Sequence, residues 1–230
     1  MKKIAIILFL CLAATVSWAQ KAGTVLPSGA SHKGFFTQQE IPDDVFRRMQ
    51  GKSFAKGCTT KRSDLRYLRL LHCNMNGDTQ VGEMVCHRTI AAALIDIFRA
   101  LYESGYRIER MVLIDDYDAD DERSMSANNT SCFNFRFMTG SRTRVSLHGR
   151  GLAVDINPRY NPYINKKGKV SPINGKAYAY NRTSSTLGNV KDVIIRRGDI
   201  CHRLFLKHGF VWGGAWKSLK DYQHFERIEN

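Results

Sequence analysis

The stretch Ser146-Leu147-His148-Gly149-Arg150-Gly151-Leu152-Ala153-Val154-Asp155 decides how the rest of the chain is read. His148 and Asp155 are seven residues apart, which on one unbroken strand would put them on opposite faces. Gly149 and Gly151 lie between them and supply a bend. Leu152-Ala153-Val154-Asp155-Ile156 then reads as a short strand that sends Ala153 and Asp155 to the same face. The small Ala153 leaves room beside the carboxylate.

A second stretch near the C-terminus, Asp221-Tyr222-Gln223-His224, supplies the missing partners. Structural zinc sites are closed by four protein ligands, often thiolates, whereas catalytic sites use three and leave the fourth position to water. His148, Asp155 and His224 make such a three-donor set for one Zn2+. A turn between Asp221 and His224 would let both side chains converge. Asp221 is then the candidate general base, accepting a proton from water whose pKa the metal lowers towards ~7. Glu226 is placed to support His224 from behind.

The pattern Ser-x-His-x-x-Gly-x-Ala-x-Asp, followed much later by an acid-x-x-His, resembles the M15-type zinc D-Ala-D-Ala peptidases, which cut the peptide stems of bacterial cell wall. Further stretches fall in the order that family uses: Asn128-Asn129-Thr130-Ser131-Cys132-Phe133-Asn134-Phe135-Arg136, Asp155-Ile156-Asn157-Pro158 with Asn161-Pro162-Tyr163, Trp212-Gly213-Gly214 with Trp216, and Asp221 to Glu226. The resemblance runs from near residue 40 to the end. It implies a single α+β domain of the Hedgehog/DD-peptidase-like kind, with an antiparallel sheet carrying the zinc site and helices packed on it. It also implies hydrolysis of an amide bond in peptidoglycan stem peptides, as a carboxypeptidase or an endopeptidase. Arg136 is the residue it places on the substrate, where a guanidinium can grip a carboxylate or stabilise a developing oxyanion. Ser146 is expected to orient a ligand or the substrate. Cys132 departs from the small residue, such as Ala, expected at its position. The signalling domain of Hedgehog proteins offers an alternative, a catalytically silent zinc-containing binding module, but loss of the base would favour that reading and Asp221 is present.

Outward from these motifs, residues 1–19 read as a secretory signal peptide: Lys2 and Lys3, an apolar run from Ile4 to Val16, then Ser17-Trp18-Ala19 as a cleavage site. The run is shorter than the ~20 residues of a membrane span, and no later stretch approaches that length. The expectation is an exported monomer, periplasmic or extracellular, with an N-terminal arm at 20–60 and the catalytic domain at 61–230. The formal charge of +14 favours polyanions. Its bases are scattered rather than arrayed in a stripe interleaved with aromatics, which argues against nucleic acid.

Beyond the signal remain Cys58, Cys73, Cys86, Cys132 and Cys201. Export permits disulfides, and Cys58 with Cys73 or Cys86 is the pairing considered, with connectivity left open. Arg66 to Leu71, apolar at Leu65, Leu68, Leu70 and Leu71, reads as a strand or its approach. Ile90, Leu94, Ile97, Phe98 and Leu101 predict a core helix over 87–104 that stops at Gly105. Met111 to Ile114 reads as a buried strand leading into the acids Asp115 to Glu122. That acidic run lacks the Asp-x-Asp-x-Asp-Gly order of a calcium loop and is expected to be a solvated loop near the cleft. The Lys-, Gly- and Asn-rich region from Tyr163 to Asn189 reads as surface loops framing a groove. A second helix over 199–208, capped by Asp199, and a return strand from Phe210 to Gly214 complete the reading. Trp212 and Trp216 are expected near the cleft, with core the commoner role for a tryptophan. The triplets starting at Asn129 and Asn181 match glycosylation acceptors and are taken as chance.

Overall fold

A hairpin of two nine-residue strands is the frame of the computed structural model, which describes residues 20–138, 140–180, 182–183 and 185–228. The expected signal peptide at 1–19 and the acceptor Asn181 lie outside the described residues. Strand β1 (Thr37–Gln39) and helix α1 (Asp43–Met49) precede the hairpin, which is formed by β2 (Leu65–Cys73) and β3 (Thr79–His87). The strands pair antiparallel from Leu65↔His87 to Cys73↔Thr79, and β1 adds to the free edge of β2. The hairpin turn is fixed locally, because the Asn74 side-chain oxygen accepts the backbone N–H groups of Asn76 and Asp78.

Strand β3 runs straight into helix α2 (Arg88–Glu103), whose N-cap His87 accepts the N–H of Thr89 through its ring. The periodic residues Ile90, Leu94, Ile97, Phe98 and Leu101 are buried against Leu68, Leu70, Val81 and Met84 of the hairpin. A second cluster joins Ile41, Val45 and Met49 to Leu65, Tyr67, Val85, Phe133 and Phe135. Helix α3 (Asp121–Ser126) follows. Strands β4 (Ala153–Asp155), β5 (Tyr163–Ile164) and β6 (Val170–Ser171), helix α4 (Ile200–Lys207), and strands β7 (Val211–Trp212), β8 (Lys220–Asp221) and β9 (His224–Glu226) complete the chain. Every pairing between these named strands is antiparallel. The architecture is α+β.

Several expectations need correction. The anticipated single sheet is three, ordered β1-β2-β3, β4-β9-β7 and β6-β5-β8, because the strands around the two motifs are only two or three residues long. Helix α2 therefore covers the hairpin sheet, while α4 backs the sheet that holds Asp155 and His224, with Phe205 stacked on Phe225 at 4.1 Å. Met111 to Ile114 is buried but forms no strand. The Val112 N–H goes to the Asn129 side chain, and a 3-10 turn begins at Ile114. The stretch 20–60 holds β1 and α1 and also adds backbone bonds to β3 through Gly23, Thr24 and Leu26. A seven-residue helix spans barely two turns, which is too little periodicity to detect. All five described cysteines are unpaired, so neither Cys58-Cys73 nor Cys58-Cys86 exists as a bridge.

The contact of Phe98 with Phe205, edge to face at 6.4 Å between ring centres, ties α2 to α4 and so joins the hairpin half to the half that carries the two motifs. Replacement of a fully buried phenylalanine by alanine costs about 3–5 kcal/mol. Phe98→Ala should lower stability by that amount in urea unfolding, with both halves unfolding in one transition.

Candidate metal centre

His148 and His224 are 76 residues apart, and strand pairing is what joins them. Asp155 of β4 and His224 of β9 are direct register partners. His148 opens a short 3-10 turn, His148–Arg150, and Gly151 follows with φ +71°, in the left-handed region that favours glycine. A Cβ at Gly151 would lie 2.7 Å from the His87 backbone nitrogen, and one at Gly149 would lie 2.9 Å from the Arg136 carbonyl oxygen. The two glycines thus do more than bend the chain, since they also let the turn lie against β3 and the Arg136 backbone. Gly213 plays the corresponding part at the other motif, where a Cβ would sit 2.8 Å from Asp221 Cβ and 3.3 Å from His224 Cβ.

The donor atoms converge. His148 Nε2 lies 3.2 Å from Asp155 Oδ2 and 3.2 Å from His224 Nδ1, and His224 Nδ1 lies 3.1 Å from Asp155 Oδ1. All three residues are buried. The outer ring nitrogens are already taken: His148 Nδ1 is 2.7 Å from the Cys132 carbonyl, and His224 Nε2 is 3.0 Å from Glu226 Oε2. Each outer N–H donates outward, so the inner nitrogens are the ones left to face the centre, the arrangement that orients metal-binding histidines. Two ring nitrogens and a carboxylate facing one another need a proton or a cation between them. A tetrahedral zinc with bonds of about 2.0–2.1 Å spaces its ligands about 3.3 Å apart, which matches the separations found here. The buried group could bind a metal, and its donor chemistry fits zinc.

Burial works to raise the Asp155 pKa, but the two imidazoles overcome it and hold the carboxyl well below the usual range. For His224 burial disfavours charge, yet the hydrogen bonds to Asp155 and Glu226 and the nearby Asp221 charge win, raising it to about 10. Asp221 is half-buried, with its Oδ1 enclosed and lacking a hydrogen-bond partner. Burial raises its carboxyl, the His224 charge lowers it and the Asp155 charge raises it again, to about 6.

Two adjoining cavities open on this group. One, of about 410 Å³, is bordered by Asp121, Asp155, Asp221 and Ser171. The other, of about 1060 Å³, is bordered by Ser146, Trp216 and Glu226. Arg136, His148, Tyr163 and His224 line both. The candidate residues are therefore assembled, although each stands differently. Arg136 is gripped through Nε by Asp121 Oδ2 at 2.8 Å, while its Nη1 is enclosed without a partner. Ser146 lines the larger cavity, with its Oγ accepting the Gly149 N–H at 2.9 Å. Cys132 contributes its carbonyl rather than its thiol. Trp216 flanks His224 with ring centres 5.4 Å apart, whereas Trp212 is buried and packs on Phe225.

The acidic run is an ordered support rather than a solvated loop. Asp115 is buried on Ser53, Asp120 caps α3, Asp121 holds Arg136, and Glu122 accepts from the Ser171 hydroxyl and the Ile173 N–H. Its role was missed because charge density alone reads as solvated. The cue was Asp120, a capping residue before a short helical stretch.

Divalent-cation uptake near pH 7–8 should release about one proton, because His224 must give up the proton that its raised pKa retains. Calorimetry in buffers of different ionisation enthalpy will count it. A folded pKa above the unfolded value also means that this proton stabilises the metal-free protein below about pH 6.5 and ceases to do so as pH rises through about 10. The metal-free denaturation midpoint should fall across that window, and the metal-loaded midpoint should not follow it.

A family model described as D-alanyl-D-alanine carboxypeptidase, of the M15 peptidases, matches residues 139–227. Searches of curated proteins and of solved structures returned no match. The matched span is shorter than the motifs had suggested and leaves Arg136 and the Asn128 to Ser131 segment outside it. Over residues 139–227, which hold His148, Asp155, Asp221 and His224, this chain is similar to the M15-type peptidases.

Proposed function

We propose that this protein is an exported zinc metallopeptidase that hydrolyses an amide bond in peptidoglycan stem peptides. The observation that carries the reading is the buried convergence of two imidazole nitrogens and a carboxylate, with both outer N–H groups directed away, inside the span that matches the M15 family model. His148, Asp155 and His224 would hold the zinc. Zinc bound there supplies Lewis acidity towards an amide carbonyl and brings the ionisation of water near neutral pH. Asp221 takes the proton from the attacking water and returns it to the leaving amine nitrogen. Burial raises the Asp221 carboxyl above its usual range, which makes it a better proton acceptor than a solvated carboxylate. The Arg136 guanidinium, which lines both cavities, binds a substrate carboxylate or the charge that develops on the carbonyl oxygen. Its Asp121 partner holds it in place. Export rests on the signal-like residues 1–19, and no helix among the described residues is long and apolar enough to cross a membrane.

Enzyme and binding module separate at Asp221. Positioned acid-base catalysis contributes about 10²- to 10⁴-fold in rate. Asp221→Asn should keep fold and zinc yet lose activity by that factor on purified wall fragments, with products weighed by mass spectrometry; Arg136→Ala should chiefly raise KM. Full activity in Asp221→Asn removes Asp221 as the base, and an inactive parent favours the binding module. Metal analysis should find about one zinc per chain by the three-ligand logic, and His148→Ala should lose it. Retention of zinc by that variant would refute the ligand set.

A further inference from the structure

The two cavities that meet at the histidine pair are opposite in charge. The smaller holds Asp121, Glu122, Asp155 and Asp221. The larger holds Arg144, Arg150 and Lys166 and shares Arg136 with the smaller, and its one acid, Glu226, is engaged by His224. A chain of formal charge +14 will place cations along any groove, but chance does not gather the acids on one side of the metal group and leave the other side basic. Three of the four acids of the small cavity are also committed: Asp121 to Arg136, Glu122 to Ser171 and the Ile173 N–H, and Asp155 to the histidines. Those three are not open to a substrate cation, and the fourth, Asp221, is the proposed base. Among the described residues neither Arg144 nor Lys166 carries an ion pair.

The shape of the larger cavity agrees with its charge. Residues 137 and 145 form an isolated antiparallel bridge, and Met138 N–H bonds the Arg144 carbonyl, which places Arg144 at the border of the cavity. Lys166 comes from the turn after β5. Phe137, Met138 and Ile228 border the same cavity and are exposed large apolar side chains. Apolar walls with cations at the rim suit a peptide that carries carboxylates on an otherwise uncharged backbone. A volume of about 1060 Å³ holds several residues of such a peptide.

We infer that the larger cavity is an extended subsite for the carboxylate-bearing segment of the substrate peptide, with Arg144 and Lys166 as residues that determine specificity. The inference rests on the peptidase reading for the identity of the substrate and adds which portion of it is recognised and by what. Exposed ion pairs are each worth little, from under twofold to about fivefold in affinity, so two together discriminate by roughly two- to thirtyfold. That preference weakens as salt screens the pairs.

The test uses the full chain loaded with zinc and two stem peptides of one sequence, one with its side-chain carboxylates free and one with them converted to amides, the terminal carboxylate being free in both. Kd is measured by calorimetry at low and high salt, and kcat/KM wherever cleavage occurs. The parent should prefer the free-acid peptide by roughly two- to thirtyfold at low salt. Arg144→Gln/Lys166→Gln should lose most of that preference. Arg197→Gln/Arg203→Gln, an equal change of charge away from the cleft, should keep it. No preference in the parent, an unchanged preference in the first double variant, or equal loss in both variants would overturn the inference. So would tight binding of polyphosphate, an anion without a peptide, that both double variants weaken equally while the two peptides bind alike. Cleavage of neither peptide would count against the peptidase reading alone, since the binding preference stands or falls without it.

Discussion

Two imidazole nitrogens and one carboxylate meet within 3.2 Å. Buried lone pairs held in that relation cost free energy unless a proton or a cation lies between them. The structure around them reads as the means of holding them there. The Cys132 carbonyl and Glu226 fix the ring orientations. The β4–β9 pairing sets Asp155 opposite His224. Phe205 and Trp212 stack on Phe225, so the strand that carries His224 is backed by rigid aromatic rings. A site supported in this way is preorganised, which is what electrostatic catalysis requires.

The hairpin and α2 supply the mass that makes such positioning possible. The second cluster brings Phe133 and Phe135 into contact with α1 and β3, and those phenylalanines bracket Asn134 and precede Arg136. Asn134 donates to Asp121 and to the Ala119 carbonyl, and Asp121 grips Arg136. Core packing is thereby transmitted to the one guanidinium that lines both cavities. The cation of Arg182 works similarly on the far side, where it bonds the Asn161 side chain and three backbone carbonyls and lies over the Tyr222 ring at 3.8 Å. Tyr222 follows Asp221, so the carboxylate proposed as the base rests on a fixed segment.

The sequence by itself determined the features that depend on local spacing. The donor set was legible because His148, Asp155 and His224 sit in glycine-spaced, acid-flanked motifs. Helices α2 and α4 were legible because their apolar residues recur at helical period over enough turns to register. Glu226 was legible as the partner of His224 because a single extended step separates them. Tertiary structure alone decided what depends on distant partners. Strands of two or three residues carry no pattern of their own, so the division into three small sheets exists only as cross-strand pairing. Met111 to Ile114 has the composition of a strand, but its backbone is satisfied by the Asn129 side chain and isolated contacts. The acidic run read as solvated because the residues that engage it, Arg48, Lys52, Ser53, Arg136 and Ser171, lie up to 68 residues away. The opposite charge of the two cavities had the same origin, because no stretch of sequence contains it and only folding sorts the acids from the bases across the histidine pair.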